Sequence, residues 1–158
     1  MSVAFRRDSD EEHLEPKFEL PIPPGPNLVT PRGLALIEAR NAELEAAIAS
    51  ASAEALPELQ RDLRYWRARL ATAQLAPLPT GETVAFGASV TIEQDGKRRT
   101  LTVVGHDESD PAAGRIAFAA PLAKALIGNE VGEEIDPPGP GGAITIIAIA
   151  MVSPDPIC

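Results

Sequence analysis

The sequence has a single cysteine, Cys158, at the last of its 158 positions. That excludes an internal disulfide and a cysteine-built metal cluster, and a lone thiol at a chain end reads as a frayed terminal residue. Histidine is scarce too. His13 and His106 are far apart and without companions, so no metal site is expected. No apolar run approaches the roughly eighteen residues that a membrane-spanning helix needs. Hydrophobic residues nevertheless make up 44% of the chain, enough for the core of one domain or two small ones. The opening MSVAFRRDSDEEH has two arginines with no apolar stretch behind them. No secretory signal is therefore expected, and the cytoplasm is the expected compartment. Positive charge is in deficit: 14 Lys and Arg against 23 Asp and Glu give a formal net charge of −9. Phosphates reward the opposite sign, so direct sequence-specific nucleic-acid binding is disfavoured, whereas a basic surface on another protein remains a suitable partner. GPGG at 139–142 lacks the lysine and following helix of a phosphate loop, and no nucleophile–base arrangement is present. No catalytic residue, metal ligand or cofactor is expected, and the chain does not read as an enzyme.

What is present divides into segments. Residues 1–28 are acidic and then proline-rich, with Pro21, Pro23, Pro24 and Pro26 blocking both helix and central strand. They read as an extended, mostly disordered arm. Its EPKFELPIPP stretch has apolar residues that could dock in polyproline II form, although a plain linker is the simpler reading. Residues 29–77 read as a helical hairpin. Thr30 is a good N-cap, and Pro31 then sits at the first helical position, where its missing N–H costs nothing. Leu34, Ile37, Asn41, Leu44, Ile48 and Ala51 recur at steps of three and four; Leu56, Leu59, Leu63, Trp66, Leu70 and Ala73 repeat the pattern until Ala76 and Pro77 end it. Two such seams joined by a few residues fold back as an antiparallel coiled coil with arms of about 30 Å. Leu44 then meets Leu63, and Asn41 meets Trp66, which suggests an amide–indole hydrogen bond fixing the register. Because the hairpin satisfies its own seam, a monomer is expected.

The period changes at residues 78–153. VAFGASVTIEQDGKRRTLTVVGH alternates apolar and polar residues around Asp95-Gly96, a hairpin signal. Arg115–Phe118 and Ala143–Val152 read as further strands, the last apolar at nearly every position, as a strand covered on both faces would be. PLAKALIG reads as a short helix opened by Pro121 and closed by Gly128, and DPPGPGG at 136–142 as a loop. The fold class is α+β: an N-terminal helical hairpin, a small domain with a mostly antiparallel sheet, and a tail at 154–158.

The junction of the hairpin, SASAEALPEL, carries Glu54 and Glu58. Paired carboxylates at a hairpin tip can hold a hard cation, but the plainer reading is two solvated residues near the start of the second helix, where its dipole favours them. Arg61, Arg64, Arg67 and Arg69 could likewise form a basic face, or be solvated charges paired with Glu43 or Glu45 across the hairpin.

The residues also carry a resemblance. NLVTPRGLALIEA is similar to the opening of the bacterial GreA/GreB transcription elongation factors. VAFGASVTIE, TVVGHDESD-PAAGRIAF, APLAKALIGNEVGEE and PPGPGGAITIIAI resemble their C-terminal domain in order and spacing. The resemblance covers roughly residues 27–152 and implies an FKBP-like fold for 78–153. It implies a partner, bacterial RNA polymerase, gripped at the rim of its secondary channel, with the hairpin entering that channel. By the matching motifs, Asp107, Glu108, Pro121 and Leu122 would take part in polymerase binding. Ala119 and Ala120 depart from the polar residue and serine that precede Pro-Leu in the family.

In the family's cleavage factors, two acidic tip residues help to hold a second magnesium ion, and the polymerase's own active site cuts the RNA. Here the tip lacks the acidic D-x-S-E-N-type motif, and the arms are shorter by two or three turns. Two turns would leave the tip about 11 Å short. The implied function is regulation of transcription elongation without efficient cleavage stimulation, as in short-hairpin Rnk-type members. Two other classes are an interaction protein with a different partner, and a prolyl isomerase. The isomerase reading is poorly served, since its aromatic pocket would have only Phe86 and Phe118.

Overall fold

The computed structural model describes residues 19–151. The expectations for His13, Cys158, the first eighteen residues of the arm and the tail at 154–158 lie outside them. The elements in chain order are β1 (Leu28–Val29), α1 (Pro31–Ala49), α2 (Leu56–Thr72), β2 (Gln74–Leu75), β3 (Ala88–Gln94), β4 (Lys97–Val104), β5 (Arg115–Ala117), α3 (Pro121–Leu126), β6 (Glu134–Ile135) and β7 (Ile144–Met151). Short 3₁₀ turns at His106–Glu108 and Pro111–Ala113 lie between β4 and β5. The fold is mixed α+β. It comprises two units: one holds the described residues up to Pro24 together with Glu38–Ala71, the other Gly25–Ile37 and the described residues from Thr72 onward.

In the first unit the helical segments lie antiparallel, with Leu44 and Leu63 buried. Asn41 is buried opposite Trp66, but its side-chain amide donates to the Trp66 backbone carbonyl at 3.0 Å, not to the indole. A helical carbonyl keeps a second lone pair for such a donor. The indole is engaged elsewhere: the Tyr65 ring meets it edge-on at 5.2 Å, and the Arg40 guanidinium lies 5.5 Å from its centroid. The expected seam also fails in its last turn. Leu70 is 37% exposed, whereas Arg69 is only 3% exposed. Arg69, three residues after Trp66, lies on the same helix face and continues that stripe inward. Helix α2 ends at Thr72, short of the expected Ala76, because the chain there becomes β2.

In the second unit, β1 and β2 pair in parallel, with Leu28 opposite Gln74 and Val29 opposite Leu75. Asn27 is buried beside them and donates to the Thr72 hydroxyl at 3.2 Å. The main sheet has the order β5-β4-β3-β7-β6, with β4–β5 parallel and the other neighbours antiparallel. Asp95 (φ 53°) and Gly96 (φ 77°) are both left-handed, as the tightest hairpin turn requires. The turn also holds the 136–142 loop: Gln94 Nε2 donates to the Gly142 carbonyl at 3.0 Å, and the Gly142 N–H donates to Asp95 Oδ1 at 3.1 Å. Gly141 has φ 118°, a backbone conformation that L side chains rarely adopt, so a side chain there would be strained.

One face of the sheet forms the core, in which Val90, Ile92, Leu101, Val103, Ile116, Ile144 and Ile146 meet Ala123 and Leu126 of α3. Strand β7 departs from expectation. Ile144 and Ile146 are buried, but Ala148, Ala150 and Met151 are exposed. Its outer neighbour β6 pairs with Ile144 and Thr145 alone, and a register shift in its pairing with β3 falls after Ile146. Only one face of β7 is buried, at Ile144 and Ile146, so the expected cover on both faces is not found.

Truncating Leu63 to Ala should lower stability by about 2–5 kcal/mol, as for other buried leucines. Leu70→Ala should change it by under about 0.5 kcal/mol. Urea midpoints of the hairpin signal, read by Trp66 fluorescence, would test the altered seam.

Candidate functional site: hairpin tip and the turns of the sheet unit

The tip is built by hydrogen bonding within residues 50–56. The Ser52 carbonyl accepts the N–H groups of Ala55 (3.2 Å) and Leu56 (3.1 Å), and the Ser52 hydroxyl accepts that of Ala55 at 3.3 Å. Glu54 lies exposed in this turn, before α2 begins. Glu58 lies in the first turn of α2, 73% exposed, with Arg61 at 3.7 Å. The two carboxylates thus sit in different local structures, and one already has a cationic neighbour. Among the described residues there is no group of three or more His, Cys, Asp and Glu that could hold a metal ion.

The arginines of α2 do not form one basic face. Arg61 meets Asp62 at 3.0 Å, Arg64 meets Glu19 at 2.5 Å, and Arg69 is buried. Arg67 meets Glu45 at 3.4 Å, the cross-hairpin pairing that the sequence suggested. All three pairs are exposed enough that each contributes about 0–1 kcal/mol.

In the second unit, Asp107 and Glu108 occupy the 3₁₀ turn after β4. Asp107 is half-buried. Glu108 is turned inward, with its side chain only 5% exposed. The Thr30 hydroxyl donates to Oε1 at 2.5 Å, and Arg32 Nη1 donates to Oε2 at 3.2 Å. Thr30 caps α1, as expected, by accepting the Gly33 N–H at 2.9 Å. The turn is also pressed against the strand before the helix, since a Cβ at Gly105 would come 2.3 Å from the Leu28 carbonyl. Pro121 and Leu122 start α3, the proline exposed and the leucine half-buried against the core. Ala119 beside them is exposed and Ala120 half-buried. The structure thus gives Asp107, Pro121 and Leu122 accessible surface while committing Glu108 to an internal network.

Two features escaped the sequence reading. One is that inward commitment; its only trace was a glycine, Gly33, at the helix position where a capping glutamate is common. The other is a cavity of about 70 Å³ lined by Val29, Pro31, Pro77, Leu78, Pro79 and Phe86. Phe86 stacks edge-on with Phe118 at 5.5 Å. It is therefore shared between the cavity wall and the core, and no aromatic cage results.

Replacing Glu54 and Glu58 together with Ala should shift the urea midpoint by an amount equivalent to under about 0.5 kcal/mol, because both are exposed and one weak pair is lost. A larger loss would mean that the tip carboxylates hold the turn together.

A family described as "Transcription elongation factor, GreA/GreB, C-term" matches residues 79–153. Transcription elongation factor GreA of Desulfovibrio desulfuricans is 38% identical over 93 residues, which is 56% of this chain and 57% of that one. GreA of Rhodospirillum rubrum is 46% identical over 66 residues, 40% of this chain and 42% of its own. The chain spans about half the length of the curated relatives it matches. Among solved structures, GreA factor homolog 1 (Gfh1) of Thermus thermophilus aligns with 79% of this chain and 99% of its own at 18% identity, with a TM-score of 0.40, too low to bear on fold or function. Residues 79–153 are thus a match to the C-terminal domain of the GreA/GreB transcription elongation factors.

Proposed function

We propose that this protein binds bacterial RNA polymerase at the rim of the secondary channel and regulates elongation without efficient stimulation of transcript cleavage. The match of residues 79–153 to the GreA/GreB C-terminal domain is the observation that carries the reading. On it, residues 78–153 are an FKBP-like docking domain, and 29–77 are the hairpin that enters the channel. Asp107, Pro121 and Leu122 lie on the docking surface. Glu108 belongs to the same motif, but its carboxylate is already engaged. The chain acts as a cytoplasmic monomer and supplies no catalytic group of its own, since any RNA cutting is chemistry of the polymerase.

The lack of cleavage stimulation is supported by length and chemistry at the tip. Helices of 19 and 17 residues reach about 28 and 26 Å. A magnesium ligand has to approach within about 2.1 Å of the ion, with almost no tolerance for a tip that stops short. Glu54 and Glu58 also sit on different local structures, not as a preorganised pair. A factor that occupies the channel mouth without completing the metal site would act as a competitor of cleavage factors, as a Rnk-like regulator would.

The test is RNA cleavage in a stalled, backtracked elongation complex, with this protein alone and then together with an authentic cleavage factor. The protein alone should give no cutting above the intrinsic rate, and it should slow cutting by the authentic factor in a dose-dependent way. The Glu54→Ala/Glu58→Ala variant should compete equally well. Cutting by the protein alone that this variant abolishes would establish a working metal-holding tip. No effect in either arrangement would favour a partner other than polymerase.

A further inference from the structure

Helix α1 starts with a defect that its own sequence does not repair. Its first turn has no acidic residue, although the positive end of a helix favours one, and Arg32 adds a positive charge there. In a capping box, the N-cap Thr would be matched by Glu three residues on, reaching back to the N-cap. That position is Gly33. The space its side chain would fill is occupied from elsewhere in the chain: a Cβ on Gly33 would lie 2.8 Å from Glu108 Oε1 and 3.4 Å from Thr30 Oγ1. The Glu108 carboxylate takes the Thr30 hydroxyl and the Arg32 guanidinium, residues 78 and 76 positions away. The Thr30 hydroxyl then both donates, to Glu108, and accepts, from the Gly33 N–H.

We infer that Glu108 is a positioning residue, the distant half of a split capping box, which holds the first turn of α1 on the sheet unit and does not face a partner. Gly33 is the complementary half, a missing side chain that admits the carboxylate. This separates Glu108, spent inside, from the rest of the acidic turn of the docking motif. Burial supports the division, since a carboxylate 5% exposed and doubly hydrogen-bonded would have to abandon charge-assisted bonds to reach another protein.

The test is a cycle of Glu108→Ala, Gly33→Glu and the double variant, read by amide exchange at Gly33 and Leu34 and by polymerase affinity. Glu108→Ala should speed exchange at those amides about tenfold, the scale of losing a charge-assisted bond. Glu108→Gln, which keeps an acceptor for Thr30 but not the charge, should fall between. Gly33→Glu alone should also speed exchange, because it crowds and repels the resident carboxylate. The double variant should return exchange to within about threefold of the parent, since an ordinary capping box is then restored. Relief of crowding alone would bring the double variant only to the level of Glu108→Ala, so recovery beyond that level requires the restored box. Additive damage in the double variant would overturn the split box. Affinity that stays lost while exchange recovers would instead make Glu108 a partner contact. The affinity readout rests on the polymerase reading and the exchange readout does not, so a parent protein that fails to bind polymerase leaves the cycle decisive.

Discussion

Strand β3 is bonded on both sides, to β4 and to β7, and its Val90 and Ile92 have no exposed surface. Burial of each is worth about 1.5–3 kcal/mol, and a slip of one residue in either pairing would turn both side chains out of the core. The register is set at one end by the two left-handed residues Asp95 and Gly96. The same turn extends its hold through Gln94 and Asp95 to Gly142, the last part of the loop before β7. One tight turn therefore fixes both neighbours of the central strand. The helix α3 face and its first residue, Pro121, are built on the layer so defined.

The hairpin is held differently. Its ion pairs are exposed and individually weak, and its apolar seam is narrow: Leu44 and Leu63, with Asn41 as the buried polar residue between helices. An amide that satisfies itself on a backbone carbonyl has only one comfortable register, which suits a seam with few large side chains. The tip spends its side-chain hydrogen bonds on closing the turn through Ser52, leaving Glu54 in water. Such a tip is a connection between helices before it is anything else.

Much of this was legible in the sequence because local signals and tertiary packing agree there. The Thr30 cap, the Asp95-Gly96 turn, α3 between Pro121 and Gly128, and the alternation of β3 are each decided within a few residues. The parts that were not legible depend on distant partners. Strands of two residues, as in β1, β2 and β6, have no period to detect. Arg69 takes the inward place expected of Leu70 because it too shares the face of Trp66, three residues on, and the continuous apolar run of β7 hides that its second half is left exposed. At the candidate site, Pro121, Leu122 and the Asp107–Glu108 turn were recognisable as a motif. That one acid of the pair faces inward was not, since it depends on an absent side chain at Gly33, 75 positions upstream by the numbering of the chain.

The parallel pairing of β1 with β2 brings the strand entering the hairpin beside the strand leaving it, and Asn27 bonds across the same junction to Thr72. Everything between is a closed excursion from the sheet unit, returning to its starting point. Closure entropy grows slowly with the length of such an excursion, by about 0.6 kcal/mol per doubling. Matched residues could therefore be added to or removed from both arms with little change in the strain on the base. The reach of the hairpin is in that sense an interchangeable part, adjustable by whole heptads while the sheet unit stays as it is.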